Sequence, residues 1–474
     1  MFLFQQSQKN YVGESANNSE KALPYRHQGI AGRITYNYDN RYFVEGNFGY
    51  NGSENFSPNH RFGFFPSIAV GYVVSNEKFF APIRDVVSMV KLKASYGLVG
   101  NDQIGGDRRF IYNETVIGGG KYYFGTTPSQ YTSVRLGEFP NPNVGWEKAK
   151  KFNLGADLSF FNQLNISVDY FKENREGIFL QRKSIPMYVG LSTKPWVNIG
   201  KMRNSGIDAS LEYHQPLGKD LHLTVRGNFT YARNRIMDQD EPDYAYTYMN
   251  HSGQMQWQKF GLVAAGLFQD QEDIDSWAKQ SFGEVKPGDI KYLDLNGDGI
   301  VDNYDTKPIG YSDIPEIVYG FGFSLQWKAF DLSAFFQGVA HVSFSTLTDQ
   351  TQAFVGRNLK ESSVFADLYG NTWTPENPGA KYPRMTTGAI DNNNQLSTFW
   401  MANGRYLRLK NLELGYTLPK RIANKIAMQS LRVYLSGVNL FTFSPFKLWD
   451  PDLQTGATNY PNNRIINLGL TIGF

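Results

Sequence analysis

Along most of the chain apolar and polar residues alternate one by one, in stretches of about nine to eleven residues, the length a tilted strand needs to cross a bilayer. Phe152, Leu154, Ala156, Leu158 and Phe160 share one face, and Asn153, Gly155, Asp157 and Ser159 the other. After Phe161-Asn162-Gln163 the rhythm resumes, with Leu164, Ile166, Val168 and Tyr170 alternating with Asn165, Ser167 and Asp169. This predicts two antiparallel strands joined by a tight turn. Ile207 to Tyr213 and Leu221 to Tyr231 repeat the pattern, as do Tyr319 to Trp327 and Phe330 to Phe336. Further strands are predicted near 30–38, 42–50, 62–72, 90–97, 405–416, 431–441 and 464–474. The count is roughly thirteen, with a truncated strand added at the start.

A β-sandwich also alternates, because its inner face is dry and its outer face wet. Sandwich strands, however, centre on about five or six residues. The connections separate the two folds better. Short turns near 39–41, 161–163, 215–220 and 328–329 alternate with long excursions near 98–150, 173–204, 232–316 and 342–400. Outer-membrane barrels sort periplasmic turns from external loops in this way. The reading is all-β: a transmembrane antiparallel β-barrel segment occupying 1–474.

The last strand sets a direction. Ile466, Leu468, Leu470, Ile472 and the terminal Phe474 share one face, and a closing aromatic reads as the outer-membrane assembly signal. With that end in the periplasm, every short turn falls on the periplasmic side and every long loop outside. A helix is expected over 419–429, where Lys420, Arg421 and Lys425 lie beside Ile422, Ile426 and Met428. It reads either as a docking helix or as an amphipathic cap over the rim.

Composition agrees with strands ringed by aromatics: 29 Tyr, 35 Phe and 46 Gly, with 41% hydrophobic residues and no run apolar enough for a spanning helix. A net charge of +3 gives no footprint for nucleic acid. The absence of cysteine rules out disulfides and thiolate metal sites. The first ten residues, MFLFQQSQKN, lack the basic and apolar regions of an export signal, so the chain reads as a fragment.

One segment carries metal-type spacing. Asp294, Asn296, Asp298, the Ile300 carbonyl, Asp302 and Asp305 occupy positions 1, 3, 5, 7, 9 and 12 of a calcium loop, with Gly299 at the sixth. Hard oxygen donors two residues apart let a chain fold round Ca2+. The expected role is structural, in an external loop over 286–313. Asp305 stands where a bidentate Glu is usual, and the flanks do not read as paired helices. The plainer alternative is a turn with solvated acids.

No catalytic set emerges. The six histidines are scattered, and no G-x-S-x-G elbow, phosphate loop or dinucleotide fingerprint is present. Asp157/Asp169 and Asp208/Glu212 could mimic glycosidase pairs, but their places on strands make them lumen-facing polar residues. Tyr244, Tyr246, Tyr248, Trp257, Trp277, Trp373, Trp400 and Trp449 either stack on sugar rings or pack loop against loop.

Several motifs in fixed order resemble the SusC/RagA family of TonB-dependent outer-membrane transporters. They are Lys91-Leu-Lys-Ala-Ser-Tyr-Gly97 with Gly100-Asn101, Asn143-Val-Gly-Trp-Glu147, Asn198-Ile-Gly200 with Asn204-Ser-Gly-Ile-Asp208, and Lys286-Pro-Gly-Asp-Ile-Lys291. Tyr406-Leu-Arg-Leu-Lys-Asn411, Leu431-Arg-Val-Tyr434, Asn439-Leu-Phe441 and the ending Asn467 to Phe474 complete the match. The resemblance implies a parent about twice this length, with a plug domain and a barrel of about 22 strands. This chain would supply about 13–14 of those strands, with the plug absent. It further implies import of glycan or peptide oligomers, a SusD-like surface lipoprotein as partner, outer-membrane lipid around the wall, and coupling to TonB through the amino-terminal region. Two rivals stay open: a passive porin-like or structural barrel, and a secreted calcium-binding β-sandwich adhesin.

Overall fold

The computed structural model describes residues 1–9, 23–105, 108–191, 193–348, 351, 365–386, 388–426, 428–456 and 459–473. Among them, fourteen strands form one sheet whose order follows the chain. They are Phe2–Lys9, Tyr25–Tyr38, Tyr42–Ser53, Phe62–Val73, Val87–Asn101, Glu147–Phe160, Leu164–Gln181, Trp196–Pro216, Leu221–Asp238, Ile317–Trp327, Phe330–Ala340, Tyr406–Thr417, Ser430–Phe443 and Ile465–Gly473. The expected count, including the short first strand, is met.

Antiparallel register builds the two faces. Phe152, Leu154 and Leu158 stand opposite Tyr96, Ala94 and Val90, while Asn153 and Asp157 stand opposite Ser95 and Lys91. Opposite residues of such a pair share a face, so the alternation of each strand becomes one apolar and one polar sheet surface. The apolar surface is the exposed one: Leu154 is 52% accessible, Ile34 72% and Leu468 79%. A soluble sandwich would bury those side chains, and leaving them bare is unfavourable in water. That arrangement suits a sheet whose apolar side meets lipid.

The tight turns lie where expected. Asp39 and Asn40, then Phe161 and Asn162, all have positive φ near 50°, and Lys328 has φ 53°. Two adjacent positive φ values match the twist of the flanking strands, and Asn37 Oδ1 receives the Asn40 N–H at 3.1 Å. The helix expected over 419–429 is shorter: one α-turn, Lys420–Ala423, followed by a 3-10 turn, Asn424–Ile426. Met428 N–H bonds Ala423 O at 3.1 Å and ends it.

Strand lengths correct the sequence reading. Leu164–Gln181 has 18 residues and Trp196–Pro216 has 21, so most of the excursion expected over 173–204 is strand and only 182–195 connects. Ladder hydrogen bonds need no apolar face, so pairing continues past the lipid-facing stretch. Periodicity marks where lipid begins and ends, not where the strand does. Inside 98–150 a separate hairpin, Val116–Phe124 with Ser129–Leu136, was also missed.

Two compact units are defined by internal contacts. The first comprises residues 1–162, 167–207 and 234–243, and the second 163–166, 208–233 and 244–474. The first has a small core of Phe56, Ile104, Ile111, Val144 and Phe179, flanked by Trp146 and Trp196. The second holds a larger core within its long connections, including Leu262, Ile290, Tyr292, Val301, Trp373 and Trp400. Terminal Phe474 lies outside the described residues.

Candidate functional site

The polar sheet surface is laced with ions. Lys93 Nζ lies 2.9 Å from Asp157 and 3.1 Å from Asp169, and Ser167 Oγ donates to Asp157 at 2.6 Å. Asp157 and Asp169 therefore do meet, but around an ammonium that neutralises them. Arg432 likewise spans Asp331 and Glu413. Asp208 and Glu212 do not pair: Asp208 accepts from Thr230 at 2.7 Å and Glu212 from Arg226 at 2.9 Å. A carboxylate held by a cation beside it is poorly placed to act as a general acid.

The calcium-type loop leaves the strand Ile290–Tyr292 and returns through Ile300–Val301, which runs parallel to Lys279–Gln280. Its side chains fasten on its own amides. Asp294 receives the N–H groups of Gly297 (2.7 Å) and Gly299 (2.8 Å). Asn296 Oδ1 receives Asp298 N–H at 3.0 Å, and Asp298 Oδ1 receives Ile300 N–H at 2.8 Å. Asp302 caps the 3-10 turn Asn303–Asp305 by accepting Tyr304 N–H at 2.7 Å. Asp305 is wholly buried; it accepts from Leu295 at 2.7 Å and Asn296 at 3.3 Å on one oxygen, and from Asp302 at 2.8 Å on the other. The last acid of the motif thus closes the loop through backbone amides. Among the described residues no three His, Asp or Glu side chains converge as a metal-holding group. The donor chemistry fits a hard cation, while this arrangement spends much of it on the loop itself.

The aromatic candidates divide the same way. Tyr246 stacks on Tyr248 at 5.4 Å, and the Tyr248 hydroxyl donates to Tyr304 O at 2.7 Å, so these rings cover the calcium-type loop. Tyr244 packs on His251 at 5.8 Å. The Trp277, Trp400 and Trp449 indoles donate to the carbonyls of Tyr292, Asn393 and Gln454 at 2.7, 2.8 and 2.7 Å. Trp373 is buried beside them, and Trp257 alone of the eight is largely exposed. Packing loop against loop accounts for seven of these side chains.

The sequence motifs turn out to mark structural locks that their spacing did not disclose. Asp289, wholly buried, accepts from Asn393 Nδ2 (2.9 Å) on one oxygen and from Arg384 Nη2 (3.1 Å) and Lys286 N–H (2.8 Å) on the other, with Arg384 Nε ion-paired at 2.8 Å. Asn392 Nδ2 reaches Ile290 O at 2.8 Å, and the Tyr292 hydroxyl donates to Asn392 O at 2.8 Å; burial pushes that hydroxyl's pKa up. Gly288 sits at φ +91°, and a Cβ there would lie 2.4 Å from the Trp373 ring, so no larger residue fits. At the strand Tyr406–Thr417, the Arg408 guanidinium is 2% exposed and pairs with Asp450 and Asp452 while donating to Thr442 at 3.0 Å. A buried, multiply bonded charge of this kind costs much to leave unpaired. In the sequence, Asp289 and Arg408 are marked only by lying within the motifs Lys286–Lys291 and Tyr406–Asn411.

Comparison with known proteins places this geometry. The family model described as "TonB dependent receptor-like, beta-barrel" matches residues 5–440. A TonB-dependent receptor, P3, of Formosa agariphila is 29% identical over 94% of this chain. The TonB-dependent receptor SusC of Bacteroides thetaiotaomicron is 27% identical over 94% of it. The chain spans less than half the length of both, 45% and 43% respectively. Among solved structures, the RagAB peptide transporter superposes with TM-score 0.73 at 22% identity, covering 95% of this chain and 48% of that one. The RagAB importer in its open-open state gives 0.74 at 21%, covering 100% and 52%. At these identities the structural likeness shows the fold.

Proposed function

This chain belongs to the TonB dependent receptor-like β-barrel family of outer-membrane proteins, which transport rather than catalyse, and from that premise we propose that it supplies wall and loops to an energised importer. The observation that carries the reading is the two-faced sheet: exposed apolar residues on one surface and ion pairs on the other, with short and long connections alternating along the chain. In this reading the apolar face meets lipid, the polar face lines the lumen, and the short turns face the periplasm. The cargo is a glycan or peptide oligomer. A SusD-like surface lipoprotein covers the long-loop end, and TonB drives the cycle through a preceding region of the parent protein.

The test is uptake. Cells dependent on this protein should import a labelled oligomer, and collapse of the proton gradient or loss of TonB should stop it. Uptake that persists without TonB would establish the passive, porin-like alternative instead.

A calcium ion at Asp294, Asn296, Asp298, the Ile300 carbonyl, Asp302 and Asp305 belongs to the same proposal. The oxygen donors and their spacing support it. Its role there is to brace an external loop, and Asp305, already holding three amides, could offer it no more than a shared oxygen.

A further inference from the structure

We propose that the second unit carries a peptide-binding cleft, entered from the long-loop end, in which an extended acidic peptide with apolar side chains adds to the free edge of the strand Met401–Asn403. This deepens the importer reading and rests on it only for the direction of transport. The cleft is a cavity of about 570 Å3, within the range of sites that hold small ligands.

Its wall is hydrocarbon. Phe365, Phe399 and Phe446 line it, and each is fixed from behind. Phe365 stacks on Trp449 at 5.8 Å, Phe446 meets the same indole edge-on at 4.6 Å, and Phe399 packs edge-on against Trp400 at 5.0 Å. The two tryptophans spend their N–H groups on backbone carbonyls, so the rings present no hydroxyl or indole donor. An apolar side chain needs no hydrogen-bond partner on such a wall, and a sugar ring stacked on the phenyl faces is the competing occupant that an oligogalacturonate probe tests.

The strand edge supplies the polar half. Among the described residues Met401–Asn403 pairs only with Ser343–Ser345, in a two-stranded sheet. Thr346 N–H bonds Trp400 O at 2.7 Å and Gly404 N–H bonds Val342 O at 3.0 Å. In an antiparallel ladder bonded residues alternate, so the backbone groups of Met401 and Asn403 point the other way. The Met401 N–H is taken by Thr398 O at the end of the 3-10 turn Thr398–Trp400, which leaves the Met401 carbonyl and the N–H and carbonyl of Asn403 without a backbone partner among the described residues. Ala402 and Asn403 line the cavity beside this edge. An added peptide strand would donate to the Met401 carbonyl and exchange both bonds with Asn403 while placing alternate side chains against the phenyl wall.

Charge selects the peptide. Lys381 and Lys447 line the cleft against one carboxylate, Asp367. Asp367 Oδ2 already holds Lys381 Nζ at 2.5 Å and the Tyr382 hydroxyl at 2.6 Å. Lys447 has no ion-pair partner among the described residues, leaving an ammonium for a ligand carboxylate.

The experiment is calorimetry on the protein purified in detergent from outer membranes, with the tetrapeptide Glu-Phe-Val-Asp as probe. Two comparison probes are used: the same peptide N-methylated at alternate residues, and an oligogalacturonate of similar charge. The plain peptide should bind; N-methylation should weaken it at least about tenfold by removing strand hydrogen bonds, and Lys447→Glu should weaken it about tenfold by reversing one exposed charge. Equal binding of plain and methylated peptides, indifference to Lys447→Glu, or binding of the oligogalacturonate alone would overturn the proposal. Cellular uptake is measured separately: TonB-driven import of a glycan without peptide binding would leave the importer reading standing and sink only this cleft.

Discussion

Asn198 and Gly145 hold each other by reciprocal hydrogen bonds: the Asn198 Nδ2 donates to the Gly145 carbonyl, and the Gly145 N–H donates to Asn198 Oδ1, both at 3.0 Å. The same Nδ2 also reaches Gly177 O at 2.8 Å. One side chain thus stands in for a strand neighbour and joins three segments of the first unit. Asn198→Ala strands one N–H and two carbonyls, and should cost about 1–3 kcal/mol. Heat-modifiable mobility on gels reads this directly: the variant should lose its folded band at a lower temperature than wild type, and an unchanged midpoint would remove the latch from the account.

The exposed apolar surface makes a sided prediction. Leu154→Arg places a charge on the face assigned to lipid and should cost about 2–4 kcal/mol of folding into vesicles. Asn153→Arg, one residue away on the polar face, should cost little. Urea titration in phospholipid vesicles compares them, and equal penalties would contradict the assignment of faces.

Arg408→Met removes a buried guanidinium from between Asp450 and Asp452 and leaves the largely covered Asp450 carboxylate without its cation, while Asp452 stays open to water. The expected loss is about 3–5 kcal/mol of local stability, seen as rapid protease cleavage within 444–464. Adding Asp450→Asn should restore part of the protection, because the uncompensated charge and not the lost packing dominates.

Asp367 is held below the usual carboxylate range by its bond from Lys381 and then by that from the Tyr382 hydroxyl, against a smaller opposing effect of burial. A depressed native pKa contributes stability that is complete above the ordinary carboxylate range and disappears as pH falls through the lowered value. Hydrogen-exchange protection around 366–382, corrected for the intrinsic pH dependence of amide exchange, should therefore be constant from neutral pH to mildly acidic conditions and fall only in stronger acid. Asp367→Asn should abolish that acid limb, and a limb that survives the substitution assigns it elsewhere.

Calcium can be tested on the external loop itself. Titrating the ion into the wild-type protein should release or absorb heat, and Asp298→Ala should diminish it, because Asp298 is an exposed donor whose loss leaves the Asp305 amide cluster intact. Absence of heat with wild type would leave the loop as a self-closed turn.

The wall was legible in the sequence because lipid on one side and polar contacts on the other impose a period of two on each strand. Phe152 to Phe160 needed no other information. Strand ends were not legible: beyond the bilayer, pairs such as Val99 with Ala149 and Asn101 with Glu147 are held by backbone bonds, which impose no hydrophobic rhythm. The loop core was hidden for a related reason. Asp289, Arg384 and Asn393 come together across about a hundred residues of chain, and long-range pairing has no local pattern. The calcium-type spacing was visible, but spacing could not tell that Asp305 would turn inward onto three amides. The cleft assembles from five short segments, none distinctive alone.

The sorting of connections by length also divides the chain into places where it can and cannot be edited. At Asp39-Asn40 and Phe161-Asn162 the turn geometry sets the register, and one extra residue would carry every following side chain to the opposite face. At Gly190, exposed beyond Met187 and Tyr188 in the connection 182–195, added residues fall outside the ladder. An affinity tag spliced in at Gly190 should leave every strand where it is; the same tag at Asn40 should open the tight turn and disturb the register of Tyr25–Tyr38 against Tyr42–Ser53.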